Sequence, residues 1–440
     1  MDVAELEDFA DRLRQPGSMA TIRGRLVAMG PKGLIISGLS KNVSLESFVT
    51  IDGKDGNCLG EVVFIDRDQI IAKPVKSSGK IHLGDIAKPL GSSLVYPTEK
   101  WKGRLVSALG EPLDSKGPLP RGNQAIGFQG PPPAAAKRRP IAQRLKTGIR
   151  TIDIFTPLCI GQRMGIFAGS GVGKSTLMGL LARTSSFDCV IVALVGERGR
   201  EVTDFVQHVL GPALEKSVVV IATGDETASL RKRAALLATS LAEYYRDQGQ
   251  NVLLLMDSVT RYAQALRELA LAGGEPPVSR GFPPSVFSDL PKLLERSGPG
   301  AHKGTITGIY SVLVEGDNHN EPVADAIRGT LDGHIVLSRQ IAASGRYPAI
   351  DILDSVSRLI DRALTKDEMK TSNDLRNLVS RFEDSKDLRA LGGYQIGKDP
   401  ELDRSVAFVP RLYAALTQSR NDVGDQDCFA EVAELTRTGK

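Results

Sequence analysis

The chain has 440 residues, 41% hydrophobic and 25% charged, a composition that suits two or three soluble domains with cores of their own. Its 56 basic and 52 acidic residues leave a net charge of only +4, without the concentrated basic patch expected of a nucleic-acid binder. The four cysteines, Cys58, Cys159, Cys189 and Cys428, lie far apart and form no C-x-x-C pair, which argues against a disulfide framework or a zinc site and fits a reducing cytoplasm.

The first segment, MDVAELEDFADRLRQP, is acidic and lacks the basic start and apolar run of a signal peptide. No stretch of the chain approaches the ~18 apolar residues needed to span a bilayer, so the expected location is the cytoplasm, with membrane attachment through partners. Residues 3–14 set Val3, Leu6, Phe9, Ala10 and Leu13 on one side of a helix that Pro16-Gly17 ends. Residues 1–18 are therefore expected to form an amphipathic helix. It serves either to pack on its own domain or to dock on a partner protein or a lipid surface.

From Ala20 to about Leu90 short apolar runs alternate with turn signals: TIRGRLVAMG, GLIISG, SFVTIDG, GEVVFID and QIIAKPV. Closely spaced short strands predict a small closed barrel over 19–95, structural or oligomeric in role. An oligonucleotide-binding barrel would need basic and aromatic residues interleaved on one face, and aromatics are few here. GPPPAAAKRRP (130–140) reads as an exposed Pro-rich connector in which Lys137, Arg138 and Arg139 are a solvated run. Beyond it, RMGIFAG, CVIVALVG, SVVVIATG, NVLLLMD, TITGIYSVLVEG and GHIVLS alternate with helical stretches, the mark of a parallel sheet with crossover helices. After about 358 the pattern is mostly helical, in RLIDRAL, SNDLRNLVSRFED and AFVPRLYAALTQS. The predicted fold class is thus α/β: an N-terminal small β-barrel, a central P-loop parallel sheet with helices on both faces over 96–357, and a C-terminal helical domain over 358–440.

Chemistry concentrates in RMGIFAGSGVGKSTLMGLLAR (163–183), a strand, a Gly-rich loop and a helix in that order. Gly169, Ser170, Gly171, Val172 and Gly173 form a loop whose glycines let successive N–H groups face one anion. The helix that follows adds its positive end. Lys174 supplies charge for the β- and γ-phosphates, the Ser175 hydroxyl suits Mg²⁺, and Thr176 completes the motif. The first loop position is Ala168 rather than Gly. NVLLLMD ends its strand in Asp257, placed to hold the water shell of the metal, although an acid capping the next helix is also a common structural device. CVIVALVGERGRE ends its strand near Glu197, which can reach the γ-phosphate region and polarise water, or can pair on the surface with Arg198 or Arg200. Spacing alone leaves those two roles of Glu197 open.

The stretch from about 140 to 358 resembles the catalytic core of the rotary-type hexameric ATPases of the F-/V-type superfamily. Within it the chain is most similar to the type III secretion ATPases that energise flagellar and virulence protein export. The residues carrying the resemblance are TGIRTID (147–153), GQRMGIFAGSGVGKSTL (161–177), VGERGREVTDF (195–205), AEYYRDQGQNVLLLMDSVTRYAQALRE (242–268), GEPPVSRGFPPSVFSDLPKLLERSG (274–298) and LSRQIAASGRYPAIDILDSVSR (337–358). The resemblance implies a RecA-like core using ATP and Mg²⁺, with Glu197 as the water-polarising base and Arg198 beside it. It implies Asp257 on the metal side with Arg261 in the same motif, Tyr347 stacking on adenine, and Arg358 as an arginine finger reaching a neighbouring subunit. A second adenine-contacting aromatic has no match around LTQSRND (416–422).

Glu197 separates the chain from non-catalytic F-type α subunits. GFPPSVFSDLPKLLERSG and GGYQIGKDPELDRSV (392–406) separate it from F-type ATP synthase β subunits. The resemblance implies a homohexamer that energises export of flagellar proteins through a type III secretion apparatus, the virulence system being the alternative. The implied partners are a peripheral-stalk regulator, a coiled-coil central stalk protein, an export gate membrane protein at the inner membrane, and export chaperones and substrates, with no nucleic acid. A nucleotide-gated scaffold that binds ATP mainly to assemble is the reading from a different class.

Overall fold

The computed structural model describes residues 22–91, 94–141, 143–301, 303–314, 321–419 and 427–437. The helix expected at residues 1–18 lies outside them. Six antiparallel strands, β1 (Gly24–Gly30), β2 (Gly33–Ser37), β3 (Phe48–Gly53), β4 (Gly56–Ile65), β5 (Gln69–Ser77) and β6 (Ile86–Gly91), close into a barrel in the order β1-β2-β5-β4-β3-β6. Closure leaves no unpaired edge. Alternate residues point inward, and Leu26, Ile36, Val49, Ile51, Val62 and Ile70 fill the interior. β6 was not among the runs picked out by hydropathy: in IAKPLG only Ile86 and Ala87 precede the Lys88-Pro89 pair, whereas in β5 Ile70, Ile71 and Ala72 precede Lys73-Pro74.

The central sheet follows in chain order: β7 (Arg104–Ser107), β8 (Arg163–Ala168), β9 (Cys189–Glu197), β10 (Ser217–Thr223), β11 (Asn251–Asp257), β12 (Thr305–Leu313), β13 (Gly333–Leu337) and β14 (Ile350–Ser357). Their order across the sheet is β14-β13-β8-β12-β11-β9-β10-β7. The main-path pairings are all parallel except that of β13 with β14. The predicted strands are the continuous apolar runs, as parallel strands covered on both faces must be. The two edge strands, β7 and β14, are the ones hydropathy did not single out: each has one side open and a mixed sequence.

Helices α1 (Arg150–Phe155), α2 (Lys174–Arg183), α3 (Ala228–Asp247), α4 (Val259–Ala272) and α5 (Pro284–Leu294) belong to the sheet's surroundings. One buried cluster lies between the sheet and α3, α4 and α5, around Ile191, Leu241, Leu254, Leu290 and Tyr310. The opposite cluster gathers Ile166, Leu177, Leu181, Val192, Leu255 and Ile335 beneath α2. Helices α6 (Lys366–Asp384), α7 (Pro400–Leu416) and α8 (Cys428–Arg437) pack Leu375, Val379, Val409, Leu412 and Val432 against Phe155 and Ile352. Helix α6 opens with a capping box, Thr365 accepting from the Glu368 amide and Glu368 accepting from that of Thr365. Helix α7 tolerates Pro410 in its interior but stops at Leu416, with Thr417 extended, so the TQS that hydropathy assigned to it lies beyond the helix.

Two sets of polar contacts hold the parts together. Arg233 of α3 lies 3.1 Å from Glu61 of the barrel, both almost fully buried, with its guanidinium over the rings of Phe48 and Phe128. A buried pair of this kind gives little net stability against an apolar substitute but is expensive to break from one side. In the Pro-rich connector, Arg138 pairs with Glu295 at 3.1 Å, and Arg139 donates to the carbonyls of Lys303 and Gly304. These two arginines dock the connector on the core rather than forming the solvated run expected of them.

Candidate active site

The parallel register brings the C-terminal ends of β8, β9 and β11 to one edge of the sheet. Asp257, the last residue of β11, sits opposite Leu194 of β9, and β9 runs three residues further, through a bulge at Gly196, to present Glu197. Gly196 has a φ of +73°, and a Cβ there would press on the Arg261 side chain from 3.0 Å, so glycine is needed on both counts. Ser258 caps α4 immediately after Asp257 by accepting from the Arg261 amide. Turn and cap thus aim the two acids into one space.

Between β8 and α2 the loop carries left-handed residues at Gly171 (φ +81°) and Gly173 (φ +96°). The N-cap of α2 is Gly173, which offers no side-chain cap, and the first-turn residues Lys174, Ser175 and Thr176 line the cleft. Such an N-terminus favours an anion through its N–H groups and its dipole. The cleft has a volume of about 960 Å³; Gly169, Ser170, Gly171, Gly173, Lys174, Ser175, Thr176, Glu197, Arg198 and Asp257 all line it.

Lys174 Nζ lies 2.5 Å from Asp257 Oδ1 and 3.9 Å from Glu197 Oε1. Asp257 Oδ1 also accepts from the Ser311 hydroxyl at 2.7 Å. Glu197 Oε1 is buried without a hydrogen-bond partner. Burial, then the neighbouring Asp257 carboxylate, push the Glu197 carboxyl up to about 8, the Lys174 ammonium opposing them. Arg198, by contrast, is almost wholly exposed at the rim, 4.0 Å from Glu201. Glu197, its neighbour in sequence, is held inside the cleft while Arg198 lines only its mouth.

Tyr347 stands in an adjoining slot of about 260 Å³ that also takes in Val172, Gly173 and Thr176. Arg358 lines neither space. It follows β14, is exposed, and donates through its amide to Asp332 O at 2.9 Å and through Nη2 to Arg328 O at 3.4 Å. The structure therefore gathers Lys174, Ser175, Glu197 and Asp257 in one cleft, places Tyr347 beside them, and leaves Arg358 on another face. Sequence reasoning missed Arg267, Arg280 and Arg339, which line the outer cleft, and Gln418, which walls the slot. Nothing local marks the arginines. Gln418 falls in the very LTQSRND stretch where an aromatic was sought.

Among the described residues no group of three or more His, Cys, Asp or Glu side chains is spaced to hold a metal ion. That suits Mg²⁺ carried in by phosphates, which keeps most of its waters and needs only one or two protein oxygens. Ser175 and Asp257 at the cleft are of that kind, so the residues fit the ion. No helix among the described residues is long and apolar enough to cross a membrane.

Residues 148–357 match the model of the ATP synthase alpha/beta family, nucleotide-binding domain, and residues 364–431 match that of the T3SS EscN ATPase C-terminal domain. The chain is 49% identical to the flagellum-specific ATP synthase of Agrobacterium fabrum over 440 residues, 99% of this chain and 93% of the relative. It is 44% identical to the Bacillus subtilis protein of the same name, over 89% of this chain and 90% of that one. Among solved structures, the assembled ATPase EscN from the enteropathogenic E. coli type III secretion system superposes with a TM-score of 0.87 at 39% identity, covering 95% of this chain and all of that one. EscN in complex with its central stalk EscO superposes at 0.85 with 37% identity and the same coverage.

Proposed function

The chain belongs to the ATP synthase alpha/beta family, in the group that carries the T3SS ATPase C-terminal domain, and on that premise we propose that it hydrolyses Mg-ATP to energise export of flagellar proteins through a type III secretion apparatus. The observation that carries the reading is the meeting of Lys174, Glu197 and Asp257 at one strand edge above the phosphate loop.

The β- and γ-phosphates bind on the loop amides and the first turn of α2, and draw Lys174 away from Asp257. Mg²⁺, when bound through the Ser175 hydroxyl and the water shell held by Asp257, spreads the negative charge of the phosphates. Glu197 orients the attacking water and takes its proton as the water oxygen bonds to the γ-phosphorus. The bond from that phosphorus to the β–γ bridging oxygen breaks, and its electron pair leaves with ADP. A carboxyl raised by burial is a better proton acceptor than an ordinary glutamate once ionised, and release of Lys174 toward the phosphates leaves Glu197 the base of the cleft. Tyr347 stacks on the base. Arg358, exposed and remote from the cleft of its own chain, serves the cleft of the next subunit, which requires a closed ring; we take six copies. Arg198 acts at the same rim.

In this reading the barrel (19–95) serves the ring, the core (96–357) the chemistry and the helices (358–440) the output. The partners are a peripheral-stalk regulator, a coiled-coil central stalk, an export gate membrane protein and export chaperones with their substrates, with the ring working in the cytoplasm at the inner membrane. The flagellar assignment is supported by the flagellum-specific name of relatives 44–49% identical over 89–99% of this chain. Phosphate release with Mg-ATP across a protein concentration series tests the reading. Specific activity should rise as rings assemble, whereas tight binding with negligible turnover would favour the scaffold. Deleting the gene should abolish filament export and motility; a motile deletion strain would refute the flagellar assignment.

A further inference from the structure

The slot beside the phosphate loop has three walls. Val172, Gly173 and Leu177 at the start of α2 form the first, and Tyr347 the second; a Cβ on Gly173 would sit 3.9 Å from the Tyr347 ring. The third wall, Gln418 and Ser419, comes from beyond the end of α7. No charged side chain lines the slot, so it suits a flat apolar ring rather than a phosphate.

Gln418 is only 6% exposed, and a buried amide must be hydrogen-bonded. Its Nε2 donates to Gly148 O at 3.0 Å, its Oε1 accepts from the Arg150 amide at 2.8 Å, and its own amide donates to Tyr347 O at 2.7 Å. One residue thus ties the start of α1, the end of α7 and the backbone of Tyr347. Tyr347 is 45% exposed as a residue, so packing alone does not fix its place and its backbone tether matters. Further tethers reinforce the link: Arg150 Nη1 donates to Ala415 O at 3.0 Å, and the Arg346 guanidinium lies 3.9 Å from the ring centroid of Tyr413.

We propose that Gln418 is a positioning residue for the nucleotide base, holding Tyr347 in stacking range of α2 and making affinity for the base depend on the docking of the C-terminal helices. The proposal rests on the nucleotide reading of the adjoining cleft. By linkage, a base in the slot holds the end of α7, and withdrawal of α7 opens the slot.

Calorimetric titration of the full chain with Mg-ADP and with Mg-pyrophosphate, which lacks the base, separates these ideas. Gln418→Ala should weaken Mg-ADP about tenfold and leave Mg-pyrophosphate within about twofold. In the parent protein, Mg-ADP should slow hydrogen exchange at the amides of 411–416 more than Mg-pyrophosphate does. Equal loss of both ligands, or no change in either, would overturn the proposal, as would equal protection of 411–416 by both. If Gln418→Ala does not fold, Gln418→Glu keeps the acceptor for the Arg150 amide, removes the donor to Gly148, and carries the same expectation. A parent chain that binds neither ligand would refute the nucleotide reading itself; a parent that binds both, beside an indifferent Gln418 variant, refutes only the positioning role.

Discussion

Replacing Glu197 with Gln should make the nucleotide-free protein more stable and catalytically inert at once. The carboxyl titrates at about 8 in the folded chain against an ordinary 4.5, because burial and Asp257 disfavour its charge. The folded state therefore holds the proton more tightly than the unfolded chain. Stability falls as pH rises from 4.5 to about 8, and the full penalty applies above that. At ~1.4 kcal/mol per pH unit the ceiling is about 5 kcal/mol. Solvent reaches part of the carboxylate, so roughly 2 kcal/mol is the expected gain for a neutral isostere. Unfolding the parent and Glu197→Gln proteins side by side at pH 5.5 and pH 8.5 measures it. The variant's advantage should be small at the lower pH and reach a few degrees in Tm at the higher one. Turnover should fall by about 10²–10⁴ while Mg-ATP still binds. An advantage that does not grow with pH would refute the electrostatic account, and undiminished turnover would remove Glu197 from its role.

The same carboxyl shapes the pH profile of the parent enzyme. Activity needs its ionised form, so kcat/KM should climb with pH, reach half its plateau near 8 and level off only about a unit above that, and a profile flat from 6 to 9 would contradict a base of this pKa. Arg358→Ala should keep nucleotide affinity and lose about 10³ in turnover. Mixed with Glu197→Gln subunits it should recover activity at interfaces that pair an intact base with an intact finger; an inert mixture of assembled rings would place Arg358 elsewhere. Glu61→Ala should cost about 3–5 kcal/mol in a denaturant melt by stranding the buried Arg233, and Glu61→Leu with Arg233→Met should restore most of it. If the double variant is as unstable as the single one, the pair acts through packing rather than charge.

Function and fold were legible to different depths. The phosphate loop could be read because its chemistry is local: strand, glycines and helix follow one another within 21 residues, and torsions at Gly171 and Gly173 are the glycine's own. Asp257 was legible as the polar end of an apolar run. The buried strands announced themselves by composition, while β6, β7 and β14 did not, since a sheet edge or a short run with few consecutive apolar residues lacks that uniform burial.

The residues alone determined that this protein binds phosphates, which acid ends which strand, and that a barrel precedes and helices follow the core. Tertiary structure decided what depends on pairs distant in sequence. Lys174 and Asp257 are 83 residues apart, and their contact exists only because β8 and β11 flank the same strand in one register. The raised pKa of Glu197 comes first from that burial and then from that neighbour, with Glu201 of its own segment adding less. Gln418 meets Gly148 across 270 residues through the return of α7 to the core. Hydrophobic period and glycine placement are properties of a segment; desolvation, charge proximity and a shared wall belong to surfaces that segments make together. Local chemistry names the ligand, and the packing sets how it is held and used.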